Sequence, residues 1–260
     1  MKRYLSLVIV FAFTACGVRV AESQKSEVPN PPPPAISPVI VELFTSEGCS
    51  SCPAAERGLQ FLVREQPAPT AEIIPIALHV DYWDYLGWKD PFASPIFSKR
   101  QDSYRSRFKK DSSYTPQFVI DGQFEVAGAD TAAVTRSVLS AVVSKKAAVT
   151  AVFRDGQIIV EISGAGHDDA NVMIAIVEDK LTRQIENGEN RGRKLEHMYV
   201  TRELITAGSF KRTDDSKTLE HRVGFKPDWK RSDLAAVVFV QEEKARKIVG
   251  AAKVALGPVP

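Results

Sequence analysis

The chain has 260 residues, of which 44% are hydrophobic and 25% are charged, and its formal net charge at pH 7 is +2. This length and apolar content suffice for one or two domains with hydrophobic cores. The charges of both signs are interspersed, and no basic stripe with interleaved aromatic residues argues for nucleic-acid binding.

Residues 1–16 have the form of a signal peptide, with Lys2 and Arg3 ahead of a short apolar run. Small residues just before Cys16 resemble a bacterial lipoprotein signal, although Phe13 stands where an aliphatic residue is usual. We therefore expect export to the periplasmic side of a bacterial membrane, with lipidation at Cys16 as the membrane anchor. Ordinary signal cleavage nearby is the alternative. Disulfides persist in such a compartment.

Residues 17–37 are polar and then rich in proline, including four consecutive prolines at 31–34. Such a segment lacks the apolar content to fold and predicts a semi-extended linker. After it we predict a first domain over residues 38–146 and a second domain over residues 147–260.

The first domain opens on a buried strand at Val39–Phe44, which Gly48 ends. Cys49 and Cys52 follow, separated by two residues, and an amphipathic helix begins at Cys52. Its apolar positions fall at helical spacing: Ala55, Leu59, Leu62 and Val63. A strand, a turn, a Cys-x-x-Cys pair and a helix are typical of a thioredoxin-like redox site.

The spacing predicts different roles for the two cysteines. We predict Cys49 at the N-cap of the helix, where free N–H groups and the positive end of the helix dipole stabilise a thiolate. We predict Cys49 as the exposed, attacking thiol and Cys52 as the resolving thiol that faces the core. A structural disulfide without turnover is the alternative. A second alternative is that the two cysteines are half of a four-cysteine zinc site. The chain lacks the second Cys pair that such a site requires.

A second strand at Ile73–Val80 is predicted to run parallel to the first, with Pro75 indicating an edge strand or a late start. The C-terminal ends of parallel strands share one edge of the sheet, so His79 and Asp81 emerge beside Cys49. Either side chain could exchange protons with the thiols. We predict that three aromatic residues after this strand bind substrate: Tyr82, Trp83 and Trp88. A loop that packs its own aromatic residues is the alternative, with His79 as an ordinary core residue.

Residues 95–108 predict a helix whose apolar face carries Phe97, Tyr104 and Phe108, while its basic residues form a solvated face. Thr115 and Pro116 follow, ahead of a hairpin signalled by Asp121-Gly122. Thr-Pro directly ahead of a hairpin resembles the cis-proline loop that faces the Cys-x-x-Cys pair in thioredoxin-like folds. A cis Thr115–Pro116 bond would leave Thr115 backbone groups free to bind substrate. An ordinary trans proline is the alternative. Residues 132–143 predict the closing helix.

Three sequence blocks now carry a specific resemblance: VELFTSEGCSSCPAAE, HVDYWDYLGWKDPF and YTPQFVIDG. They resemble the secreted thioredoxin-like proteins called the "domain of unknown function 1223" family, over about residues 38–255. The resemblance implies a thioredoxin-like fold and bacterial export, and it assigns no reaction. Generic thioredoxin-like chemistry carries over to Cys49, Cys52 and Pro116 only. Both residues between the cysteines are serines, unlike in thioredoxin itself, which leaves the reduction potential open.

The second domain reads as all-β. A hairpin at 148–163 is followed by strands at 172–177, 195–200, 218–225, 234–241 and 247–254. Their spacing is typical of a β-sandwich. Residues 188–193 predict a polar turn, with substrate docking or an interdomain role as the alternative. The predicted fold class is thus α/β, a thioredoxin-like domain followed by a β-sandwich-like domain.

These patterns predict an exported thiol–disulfide oxidoreductase that acts on a partner protein or a small thiol. No nicotinamide or flavin fingerprint occurs, so no cofactor is expected. The alternative is a non-catalytic periplasmic binding lipoprotein in which the cysteines form a structural disulfide. A copper-binding version of that alternative would use Cys49, Cys52 and His79.

Overall fold

The computed structural model describes residues 36–164 and 167–257. The predicted signal peptide, lipidation at Cys16 and nearly all of the predicted linker lie outside the described residues. None of the helices in the described ranges is long and apolar enough to span a membrane.

The first half of the chain folds in the order that the patterns predict. A short 3₁₀ helix at Asp81–Leu86 follows the second strand. The regular elements are β1 at Ser37–Thr45, α1 at Cys52–Glu65, β2 at Ala71–His79, α2 at Pro95–Arg107, β3 at Gln117–Ile120, β4 at Phe124–Ala127 and α3 at Thr131–Ala141.

The second half consists of strands, with a single turn of 3₁₀ helix at Arg231–Asp233. The strands are β5 at Ala148–Arg154, β6 at Gln157–Ser163, β7 at Ala170–Glu178, β8 at Leu181–Gln184, β9 at Lys194–His197, β10 at Val200–Phe210, β11 at Ser216–Arg222, β12 at Leu234–Glu242 and β13 at Ile248–Ala255.

One mixed sheet of eight strands takes strands from both halves, in the order β13-β12-β7-β10-β2-β1-β3-β4. β1 and β2 are parallel, and β3 and β4 form an antiparallel hairpin beside β1. The halves join where Val200 of β10 pairs with Ala77 of β2. The two ranges predicted as separate domains therefore share one sheet, and the described residues belong to one compact unit.

The two faces of this sheet are covered differently. Helices α1 and α3 pack on the face that carries Val39, Val41 and Leu43 of β1. Helix α2 packs on the opposite face. The hydrophobic cluster between α2 and the sheet extends to residues of β7 and β12. A three-stranded sheet, ordered β11-β6-β5, covers the remaining part of the α1 and α3 face. The sandwich-like layering of the second half thus uses strands of the shared sheet as its second layer.

Strand β2 contains Pro75 and yet starts at Ala71, so the late start is wrong. β10 pairs with β2 only at Ala77, which leaves β2 without a backbone partner on that side at Pro75. This position tolerates a residue that has no N–H.

The strand predicted at 195–200 is interrupted. β9 ends at His197 and β10 begins at Val200, because Tyr199 has a left-handed φ of 51° that a continuous strand does not accommodate. β10 itself escaped prediction, since Thr201–Glu203 and Thr206–Gly208 carry irregular register that disrupts the alternating pattern.

The basic residues of α2 do not all lie on a solvated face. Arg100 is buried, and its guanidinium forms two hydrogen bonds to Glu42 of β1, at 2.5 and 2.9 Å. Its remaining donors reach Gln241 of β12 and the hydroxyl of Tyr104, both at 3.0 Å. A charge pair at the centre of the core therefore ties α2 to strands from both halves of the chain.

Candidate functional site

The cysteine pair lies where β1 and β2 end together, since Thr45 pairs with His79 in the last register of the two strands. Helix α1 begins at Cys52, with Ser51 in the capping position and a proline in the first turn. Cys49 lies in the preceding turn, in which the N–H of Cys52 donates to the carbonyl of Cys49. Cys49 thus precedes the N-cap predicted for it, which Ser51 occupies.

The Thr115–Pro116 peptide bond is cis, as the sequence pattern predicts. The carbonyl oxygen of Thr115 lies 3.8 Å from the Cys49 sulfur. Trp83 fixes this loop from the other side, because its indole N–H donates to the Thr115 hydroxyl at 2.8 Å. The proline loop and the cysteine pair therefore form one contact region.

The two thiols have opposite acidities. A hydrogen bond from Cys52 lowers the pKa of Cys49 to about 6 against the effect of burial, and Ser51, whose hydroxyl lies 3.3 Å from the sulfur, and Thr115 contribute further. Burial raises the pKa of Cys52 far above its usual value, and the hydrogen bond with Cys49 adds to this shift. Cys49 is therefore the thiolate of the pair near neutral pH.

The predicted exposure of Cys49 is wrong. Cys49 and Cys52 are both fully buried, and both are free thiols. The segment predicted as a polar turn supplies part of the cover. The Asn190 amide donates to the carbonyls of Glu47 and Cys49 at 2.8 and 2.9 Å, while Glu189 accepts from the backbone N–H of Ser50 at 3.0 Å. The turn of residues 188–193 thus packs on the cysteine turn from the second half of the chain.

The three predicted substrate-binding aromatic residues are half-buried and anchored by their polar ends. Trp83 donates to Thr115, Trp88 donates to Glu47 at 2.7 Å, and Tyr82 donates to Gln101 at 3.0 Å. Of the three, Trp83 bonds directly to the proline loop that faces Cys49. Trp83 also packs closely on Gly48, because a Cβ added at Gly48 would lie 3.2 Å from the Cβ of Trp83.

The residues predicted for proton transfer engage other groups. The carboxylate of Asp81 accepts a hydrogen bond of 2.5 Å from Ser98 of α2. His79 is fully buried, and its Nδ1 lies 2.7 Å from Asp90. Both residues lie at the same edge of the sheet as the cysteine pair, as predicted. Neither side chain, however, makes a hydrogen bond to a cysteine.

Below the cysteine turn lies a buried polar cluster that the sequence analysis missed. His197 stands between two carboxylates, with Nδ1 2.6 Å from Glu56 and Nε2 3.1 Å from Glu47. The ring centroids of His197 and His79 are 5.2 Å apart. Burial lowers the pKa of His197, but the two carboxylates outweigh burial and raise it to about 10.

One signal could have found part of this cluster. Glu56 lies one turn after Cys52 on α1 and beside Ala55, so it is a charged residue next to the apolar stripe of the helix. Its carboxylate accepts from the Thr45 hydroxyl at 2.7 Å. A charged residue beside the apolar stripe of a helix indicates a buried partner for its carboxylate. The sequence does not show that this partner is His197.

We expect alkylation of Cys49 by iodoacetamide to be slow, because the thiol is buried, and its rate to rise with pH with a midpoint near 6, because only the thiolate reacts. Below that pH the thiol is protonated and the rate falls. Replacing Cys52 with alanine removes the principal hydrogen bond and should move the midpoint towards about 8.5. Peptide mass mapping at a series of pH values measures both midpoints. Equal midpoints in the two proteins would contradict the assigned cause.

One solved structure is similar to this chain over most of its length. The crystal structure of a structural-genomics protein from Agrobacterium tumefaciens is similar with a TM-score of 0.72 and 25% identity, over 87% of this chain and 97% of that one. A domain of the outer membrane lipoprotein Omp28 from Porphyromonas gingivalis matches with a TM-score of 0.27 and 14% identity, over 44% of this chain and 99% of that one. The comparison with curated proteins found no match.

The family comparison covers most of the chain, and it matches the model described as "Protein of unknown function (DUF1223)" over residues 40–241. The match includes the cysteine pair, the proline loop and His197. The chain belongs to the DUF1223 family.

Proposed function

We propose that this protein is an exported thiol–disulfide oxidoreductase in which residues 38–146 form a thioredoxin-like unit. The order β2-β1-β3-β4, with α1 and α3 on one face and α2 on the other, supports that unit. The observation that carries the proposal is the placement of Cys49. Its thiol has a pKa near 6 and lies 3.8 Å from the Thr115 carbonyl, beside the cis proline.

The exchange uses the unequal acidities of the pair. The Cys49 thiolate attacks one sulfur of a partner disulfide, forming a mixed disulfide, and the second partner sulfur leaves as a thiolate. Cys52 then gives its proton to that thiolate and attacks the Cys49 sulfur. The Cys49–Cys52 disulfide forms, the partner sulfur that Cys49 attacked leaves as a thiolate, and this thiolate takes a proton from water to complete the partner dithiol. Two electrons pass from the pair to the partner, and a dithiol donor in the same compartment restores the reduced pair.

Partner binding follows from the same geometry. Thr115 and Pro116 lie against Cys49, and Trp83 braces Thr115. A partner that reaches the Cys49 sulfur must displace part of the cover, in which Asn190 bonds to the Cys49 backbone. We propose that the 188–193 turn moves aside when a partner binds, and that Cys16 anchors the exported chain to a membrane.

Trapping the mixed disulfide tests this proposal. A Cys52→Ser variant cannot resolve the intermediate, so incubation with oxidised glutathione or a disulfide-bonded peptide should leave the partner attached at Cys49. Peptide mass mapping identifies the modified residue. Cys49→Ser with Cys52 intact is the matched control and should trap nothing, because the raised pKa of Cys52 keeps it protonated and unreactive near neutral pH. Insulin reduction with dithiothreitol measures turnover by the unaltered protein.

Absence of an adduct at Cys49 together with background insulin reduction would overturn the proposal. That outcome would favour the second candidate, a non-catalytic binding protein with a structural disulfide. The full burial of both cysteines supports this candidate. The reduction potential separates the two, since structural disulfides lie below about −300 mV and exchanging pairs are more oxidising. The copper version has no support from the residues described, because the group close enough to share an ion contains His79 and no cysteine.

A further inference from the structure

A second cluster of reactive side chains lies below the cysteine turn and is not used by the proposed exchange. Glu56, His79 and His197 each offer one ligand atom, and these three atoms lie within 4.8 Å of one another. The three residues come from α1, the end of β2 and the end of β9. Tertiary packing alone brings them together.

The clearest feature of this cluster is an unpartnered nitrogen. His79 is fully buried, and its Nε2 has no hydrogen-bond partner among the described residues. Buried polar atoms are nearly always paired, and an orphan of this kind marks a place where a ligand completes the bonding. The other ring nitrogen, Nδ1, is held by Asp90 at 2.7 Å, so Nε2 is fixed in direction.

His197 differs in that a carboxylate faces each of its nitrogens. Its Nδ1 lies 2.6 Å from Glu56, within the cluster, and its Nε2 lies 3.1 Å from Glu47, outside it. Each imidazole therefore has one nitrogen at the cluster and the other held by a carboxylate outside it, and an ion bound here displaces the proton shared by His197 and Glu56. Metal-binding histidines in proteins almost always donate their second N–H to such a group, which sets ring orientation and raises ligand basicity.

We propose that Glu56, His79 and His197 bind one divalent transition metal ion of the zinc class. Two imidazole nitrogens and one carboxylate oxygen form a common ligand set for zinc, with a fourth position left for water. Two ligands on a tetrahedral zinc ion lie roughly 3.4 Å apart, so binding requires side-chain movements of about 1 Å. Asp90 and Glu47 act as positioning residues for the two histidines. The inference does not depend on the thiol chemistry.

Two surface grooves border the cluster. A groove of about 160 Å³ is lined by the acidic residues Glu56 and Glu196 and by the basic residues Arg57 and Lys194, together with Gln60. A neighbouring groove of about 290 Å³ shares Gln60 and Glu196 with it and is lined by His197. Glu56 and His197 thus each border an opening to the surface.

Zinc titration by calorimetry tests the site, using the full chain with all three cysteines replaced by serine so that no thiol can bind the ion. We expect uptake of one equivalent of Zn²⁺, removable by a chelator. Asp90→Asn should weaken binding about 10–100-fold, and His79→Gln should weaken it further. The matched control is His221→Gln on β11, in the three-stranded sheet, which should leave the affinity unchanged.

Cobalt provides a second readout. Co²⁺ bound by the cysteine-free chain should give the visible absorption of a four- or five-coordinate nitrogen and oxygen site, and Glu56→Gln should abolish it. Circular dichroism confirms that each variant is folded, and Glu56→Gln replaces His79→Gln if the latter is not. Failure of the parent chain to take up one equivalent of Zn²⁺, or equal affinity in folded Glu56→Gln, would overturn the site. Neither result bears on mixed-disulfide formation at Cys49.

Discussion

Replacing Arg100 with methionine is expected to lower the free energy of unfolding by about 3–5 kcal/mol. The guanidinium is buried and forms the hydrogen bonds to Glu42 at 2.5 and 2.9 Å. Its loss leaves the fully buried Glu42 carboxylate without its cationic partner, which is the costly outcome for a buried ion pair. Urea unfolding followed by circular dichroism measures the change.

The matched control lies on the same helix. Arg105→Met removes a guanidinium whose contact with Asp102 is exposed, and it should cost less than about 1 kcal/mol. The double variant Arg100→Met with Glu42→Leu removes both buried charges and should recover about 2 kcal/mol or more of the loss. A loss from Arg100→Met no larger than that from Arg105→Met would contradict the role assigned to the pair.

Replacing Gly122 with alanine is expected to cost about 2–5 kcal/mol, from two separate causes. Gly122 has a φ of 64°, and a side chain in this region costs about 1–2 kcal/mol. An added Cβ would also lie 1.9 Å from the carbonyl oxygen of Arg246, so the β12–β13 turn would have to move. Overpacking of this kind costs about a further 1–3 kcal/mol. Thermal and urea unfolding measure the sum.

Gly128→Ala separates the two causes. Gly128 has a similar φ of 75°, but an added Cβ would meet no heavy atom within 4 Å. This variant should therefore show the backbone cost alone, about 1–2 kcal/mol. Equal losses at Gly122 and Gly128 would mean that the β12–β13 turn yields to the added methyl group without cost.

The contacts of Gly122 and Arg100 illustrate why the sequence did not predict the shared sheet. Each contacts β12 or the turn after it, through Gln241 or Arg246, and these partners lie more than a hundred residues away in sequence. The alternation of apolar residues shows that β7 and β12 are buried strands. It contains no information on which strand they pair with, because any buried strand offers the same backbone hydrogen bonds.

The candidate site divides in the same way. Cys49, Cys52 and their helix were predictable, because only two residues separate the cysteines and the local geometry of one turn determines their placement. The Thr115–Pro116 loop was predictable from its position ahead of the Asp121–Gly122 hairpin. The burial of Cys49 was not, because its cover comes from Asn190, 141 residues away.

The sequence by itself determined the elements of the first half, the thiol pair and the cis proline, because these depend on contacts between near neighbours in the chain. Only the tertiary structure decided that β10 joins β2 and that His197 reaches Glu56 and Glu47, across 141 and 150 residues. Such contacts form when the surfaces of helices and sheets pack together. They depend on the shape and charge of the packed side chains and not on their separation along the chain.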